Sequence, residues 1–194
     1  SILIIVVFFD CSLLPAEWKQ APCLVAENGH ANIPIVVSET ASAQTRGAAD
    51  DLAHYLSEIT GAPFSVKTGN GSMGLAVGLL NDFPQQNAAP DLDGSNFKIK
   101  DREKYCIRSH EKGIYLLGLT DLAVEHAVWD FLHRLGYRQY FPGSHWEVIP
   151  RQNTLQINLN VIEAPDYQNR VIWYGFGPWD YAAEPYRRWC QRNS

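Results

Sequence analysis

The sequence predicts an α/β (α+β) domain, a mixed β-sheet covered by two helices. Three observations predict it. Short β-rich runs at residues 22–27, 33–37, 75–80, 104–109, 113–118 and 154–162 are separated by turn residues. Two longer stretches repeat apolar residues at helical spacing. The 194 residues are 46% apolar with a net charge of −5, which suits a packed core and excludes a disordered chain. Sixteen Lys and Arg against twenty-one Asp and Glu leave no basic excess for neutralising phosphates, so a nucleic-acid partner is excluded. Four cysteines are too few for a disulfide scaffold.

The chain opens on ILIIVVFF at residues 2–9, then Asp10 and Cys11. A bilayer span needs about 20 apolar residues, so this run is too short to cross a membrane. Two readings stand: the apolar core of a secretory signal, or a buried parallel strand. The first is favoured. It makes residues 1–20 an export signal and the protein secreted, periplasmic or bound at the cell surface. Cys23, Cys106 and Cys190 then remain, an odd number, so at least one has no internal disulfide partner. Asn70-Gly71-Ser72 is a glycosylation triplet of low specificity.

Residues 21–163 read as one domain. The runs 22–27 and 33–37 flank Asn28-Gly29-His30, whose turn chemistry predicts a hairpin. Capping residues at 38–42 precede a helix with the stripe Ala48, Leu52, Tyr55, Leu56 and Ile59. Gly61 and Pro63 stop it. Phe64-Ser65-Val66 alternates as a short strand, and LAVGLL at 75–80 suits a strand covered on both faces. Residues 81–95 are loop. The runs 104–109 and 113–118 form a second hairpin around His110-Glu111-Lys112. A second helix over 121–135 carries Ala123 or Val124, Ala127, Val128, Phe131, Leu132 and Leu135 on one stripe, and Gly136 closes it. Strands follow at 137–141 and 154–162.

Chemical motifs are sparse. No Gly-Lys-Ser/Thr phosphate loop, G-x-G-x-x-G, H-E-x-x-H or G-x-S-x-G occurs. His126 and His133 are seven apart on one helix face, too far for one tetrahedral zinc, and read as surface or half-buried histidines. Asp50-Asp51 and Asp91/Asp93 read as solvated charge rather than an acid/base pair. No metal site and no cofactor is expected. Phe141-Pro142-Gly143-Ser144-His145-Trp146 is a turn carrying a His and an aromatic outside a strand. Trp146 either stacks on a sugar ring, with His145 beside it, or anchors the loop on the core.

Eight aromatics fall between Asp166 and Gln191, among them Trp173, Trp179 and Trp189. So dense a set needs packing partners, so residues 164–194 read as the start of a second domain. Arg170 sits in YQNRVIWYG, a strand-like run. It offers either a planar fork for hydroxyls or carboxylates, or an ion pair with Asp166 or Glu163.

Several runs together resemble a known domain. They are Ile59-Thr60-Gly61-Ala62 at the end of the first helix, Gly136-Tyr137-Arg138 and Phe141-Pro142-Gly143 after the second, and Glu147-Val148-Ile149-Pro150. In this order they resemble the non-catalytic N-terminal α/β domain of glycoside hydrolases, the family 20 β-hexosaminidases and the α-glucuronidases. The nearest likeness is to bacterial proteins carrying domain of unknown function 4838, and it covers residues 22–190. The resemblance implies that residues 164–194 are the first strand and helix of a truncated (β/α)8 barrel, the catalytic domain. It implies a substrate contact at Arg170; Trp173, in the same run, is a further candidate contact, although the sequence around it departs from the hexosaminidase pattern. Acid and nucleophile would come from later barrel strands. The expected partners are a carbohydrate substrate and the chain's own C-terminal barrel. For the chain by itself a structural role ranks first, with a carbohydrate-binding module as the rival.

Overall fold

A computed structural model describes residues 18–84, 88–89, 92, 98–165 and 180–193. Residues 2–9, Asp91, Asp93, Arg170 and Trp173 lie outside the described residues, as do residues 166–179, in which the first barrel strand is expected.

The centre is a six-stranded mixed sheet, and the predicted fold class is what the structure has. Its strands are β3 (Ile35–Val37), β4 (Val66–Thr68), β5 (Gly74–Leu79), β6 (Tyr105–His110), β7 (Gly113–Gly118) and β11 (Asn160–Glu163), in the order β11-β6-β7-β5-β3-β4. The four strands from β7 to β4 run parallel, and β6 and β11 add antiparallel at one edge. A smaller antiparallel sheet joins β1 (Cys23–Glu27), β2 (His30–Ala31) and β10 (Thr154–Ile157).

Alternation along the strands builds two cores, because successive side chains leave opposite faces of a sheet. Ile35, Val37, Leu75, Val77, Ile107, Ile114 and Leu116 face both helices, α1 (Ala43–Thr60) and α2 (Asp121–Arg134). Each such fully buried side chain contributes about 1.5–3 kcal/mol. Val36, Ala76, Cys106, Tyr115 and Leu117 face the other way, under Phe83, Ala88, Ala89 and Leu92. The continuous apolar run at 75–80 therefore reflects cover on both faces. Arg108, 3% exposed, is held on this second face by Asn160 Oδ1 at 3.1 Å and the Ala88 carbonyl at 3.2 Å. Its guanidinium lies 4.6 Å from the Trp18 ring centroid.

The first helix forms as expected. Ser42 caps it by accepting from Thr45 N–H at 3.1 Å, and Gly61 ends it at φ 73°. All five stripe residues are buried. A carboxylate ties the start of α2 to that of α1: Asp121, in the first turn of α2, accepts from Ser42 Oγ and Thr45 Oγ1, each at 2.7 Å.

Five local expectations change, the first being that the short strand expected at 64–66 forms further on, as β4. Asn28 and Gly29 do make a tight turn, with φ 51° and 77°, but the returning strand is β2. The run 33–37 goes instead to the parallel sheet. Residues 154–162 divide between two sheets, as β10 and β11. The strand expected at 137–141 shrinks to β8 (Arg138–Gln139), paired with β9 (Glu147–Val148). His126 is buried at 5% exposure rather than surface or half-buried, with Glu103 at 3.4 Å. No disulfide joins Cys23, Cys106 and Cys190.

A third helix, α3 (Asp180–Arg192), stands beside α2 and β8. No helix among the described residues is long and apolar enough to cross a membrane.

Candidate functional site

The β8–β9 unit has two contrasting faces. Outward stand Tyr140 (68% exposed), Trp146 (55%) and Phe141 (39%), with Val148 beside them. The turn between the strands places them. Gly143 takes φ 106°, a left-handed value that favours glycine, and a short 3-10 turn follows at Ser144–Trp146. Tyr140 N–H donates to the Trp146 carbonyl at 3.0 Å, and Trp146 N–H to the Gly143 carbonyl at 3.2 Å. The rings of Phe141 and Trp146 meet edge to face, with centroids 5.8 Å apart. Trp146 therefore does not anchor the loop on the core. His145, next to it, is also exposed. The platform brings together two of the four expected contact residues, His145 and Trp146. Arg170 and Trp173, outside the described residues, are not placed.

Inward stand Tyr137, Gln139 and Glu147. Tyr137 has no exposed surface and Gln139 has 5%. The Glu147 Oε1 accepts from Tyr55 Oη at 2.7 Å and from Tyr137 Oη at 2.5 Å, and Arg192 Nη1 lies 2.9 Å from it. The two phenols are held as neutral donors. Burial, followed by the hydrogen bond to Glu147, pushes Tyr55 up to about 12 and Tyr137 higher still. In the sequence Tyr137 and Glu147 stand in runs that assign them no role, and Tyr55 is one residue of a helical stripe. The available signal was a phenol in the middle of an otherwise aliphatic stripe, since a buried tyrosine hydroxyl needs a partner.

Between α1, α2 and α3 lies an open cleft of about 700 Å³. Gln44, Asp50, Asp51 and Glu125 line one side, Arg187, Arg188 and Arg192 the other. Glu125 is raised above its usual value, first by burial, and accepts from Gln44 Nε2 at 3.1 Å. The three cations opposite make this a charge-matched seat for α3 rather than a pair of carboxylates poised for acid/base work. Among the described residues no three of His, Cys, Asp and Glu stand together to hold a metal.

No known family matches the chain, and no curated protein does. Solved structures do match. One is the GH20 β-N-acetylhexosaminidase of Streptomyces coelicolor A3(2), at 22% identity and TM-score 0.49, over 77% of this chain and 25% of that one. Another is the N-acetyl-β-hexosaminidase of Streptomyces plicatus in complex with Thio-NAglucal, at 21% identity and TM-score 0.48, over 77% and 24%. The chain thus spans about a quarter of the length of either.

Proposed function

We propose that this chain supplies the non-catalytic α/β domain of a carbohydrate-active protein, and that the Trp146 platform is its contact with sugar. One observation carries the reading. Trp146 stands 55% exposed beside Tyr140 and Phe141 on a turn pinned at both ends by backbone hydrogen bonds. Aromatic faces held open on a rigid turn suit the apolar faces of sugar rings, and His145 adds a polar group at the edge. The sequence resemblance to the glycoside hydrolase N-terminal domain, with domain of unknown function 4838 nearest, points to the same substrate class. In this proposal glycosidic bonds are cleaved by a carboxylate pair on a (β/α)8 barrel outside the described residues, with Arg170 and Trp173 contributing on its first strand. Export to the periplasm or the cell exterior, from the run at 2–9, belongs to the same proposal.

The test is calorimetric or NMR titration of the 194-residue chain with a panel of oligosaccharides. The expected affinity is weak, with Kd on the order of 1 mM, as for a shallow exposed platform. Trp146→Ala should abolish binding while changing stability by less than about 0.5 kcal/mol, since the ring packs on no core. Absence of binding, or binding indifferent to Trp146→Ala, would count against the sugar contact. The structural reading would then lead, and the seating of α3 against α2 and β8 favours it.

A further inference from the structure

On the inward face of β8–β9 the chain builds a socket for a planar cation. Three rings form its walls: Tyr55 from α1, Trp129 from α2, and Tyr137 just before β8. Their centroids lie 4.8 Å (Tyr55–Tyr137), 5.4 Å (Tyr55–Trp129) and 5.6 Å (Trp129–Tyr137) apart, and the three residues are 3%, 3% and 0% exposed in the order named. Glu147 and Gln139 supply acceptors at its edge. Arg192 of α3 fills it. The guanidinium carbon lies 5.3 Å from the Trp129 ring centroid and 5.4 Å from that of Tyr55. Nη1 lies 2.9 Å from Glu147 Oε1 and 3.0 Å from Gln139 Oε1. Ring faces above a flat ion and acceptors at its edge are what a guanidinium recognises. A compact, strongly hydrated ammonium fits such a place poorly.

Two further observations separate this socket from an ordinary ion pair. Its walls come from α1, α2, β8 and β9, and lock to each other through the bonds from Tyr55 and Tyr137 to Glu147. Neither of those two bonds involves α3. The helix α3 also faces the acidic side of the open cleft through Arg187 and Arg188, but among the described residues the hydrogen bonds that Trp189 and Arg192 make to the rest of the chain come from its last turn. Residues 183–185, 187 and 188 are exposed, and Glu184 is engaged by Arg187 and Arg188 on α3 itself. Its attachments concentrate in the last turn, where Trp189 Nε1 also donates to the Gln139 carbonyl at 2.9 Å. A 13-residue helix with Pro185 inside it is marginal on its own in water.

We infer that this socket is a guanidinium-binding site, occupied in cis by Arg192, and that its occupancy decides whether α3 is docked. The inference stands apart from the sugar contact, which uses the opposite face of the same unit.

The experiment is hydrogen exchange by mass spectrometry on the 194-residue chain, comparing the parent with Arg192→Ala and Arg192→Lys. In both variants the amides of 183–193 should exchange at least about tenfold faster, while those of α1 and α2 keep their protection. Guanidinium chloride at about 10 mM, well below denaturing levels, should raise the Tm of Arg192→Ala saturably, and equal sodium chloride should not. The parent, with its socket filled, should show no such rise. Unchanged protection of α3 in Arg192→Ala overturns the inference. So does sodium chloride matching guanidinium. A chain that loses protection throughout, or does not fold without Arg192, overturns it as well, since the socket would then not stand by itself.

Discussion

Gly113 shows how much one hydrogen atom decides in this fold. It opens β7 directly opposite Gly74 of β5, and a Cβ built on it would meet the Gly74 carbonyl oxygen at 2.1 Å and its nitrogen at 2.8 Å. Those atoms are backbone, so nothing rotates out of the way. The neighbouring register pairs, Leu75 with Ile114 and Val77 with Leu116, place core side chains on the helix face. Gly113→Ala must therefore push two parallel strands apart where the main core begins, and should cost about 2–4 kcal/mol. Chemical denaturation should show the midpoint falling with the m-value unchanged. A loss below about 0.5 kcal/mol would mean that the strands part without strain. In the sequence Gly113 reads only as the residue after a turn; its second role needs a partner 39 positions earlier, which no local pattern reveals.

At the scale of elements, the two helices are joined at their starts by the carboxylates of Asp121 and Glu125, and Asp121 holds the capping turn of α1. Ser42 and Thr45 donate to Asp121, while Ser42 also caps α1. Asp121→Ala removes the acceptor of both hydroxyls and a favourable charge at the N-terminal end of α2, and should destabilise by about 2–3 kcal/mol. Asp121→Asn keeps an acceptor and should recover more than half of that loss in the same melt. If the two variants melt alike, the hydroxyl contacts contribute nothing and only the charge matters. Each helix separately was legible: the stripes and glycine stops of both and the cap of α1 are local signals, and all of them hold. The bond between the helices was not legible, because it joins a capping serine to a residue 79 positions away. The platform shows the same division. Turn chemistry marked 141–146 and its aromatic. Whether Trp146 faces the core or the solvent follows from the two-residue pairing of β8 with β9, which strand propensity overestimated.

For the whole molecule, the socket, the platform and both cores come from one arrangement, in which all strands of the main sheet show one face to the helices. The mixed sheet was legible because its strands are short apolar runs between turns. Which strands pair was not, and the run at 33–37 shows why: its partners β4 and β5 lie beyond a helix, so the nearby turn pointed to the wrong neighbour. A fold closed this way also half-buries two histidines against aromatic rings. His110 stacks on Tyr115 at 4.4 Å, and His133 on Tyr137 at 6.0 Å. Burial, aided by Lys112, lowers the pKa of His110. Burial and Arg138 lower that of His133, with Asp130 pulling the other way. Both are therefore neutral in the folded chain at a pH where the unfolded chain, with a histidine pKa of about 6.5, is taking up protons. Their contribution to stability is full above that value and is lost as pH falls from it through the lower folded values. Glu125, raised by burial, acts in the opposite sense nearer the carboxylate range, so the comparison must be made between variants. The Tm of the parent should fall between about pH 7.5 and pH 5.5, and by distinctly less in His110→Gln/His133→Gln. If the double variant lost as much Tm as the parent, the acid sensitivity would lie elsewhere. If the parent lost none, neither ring would be as far from water as its stacking partner makes it.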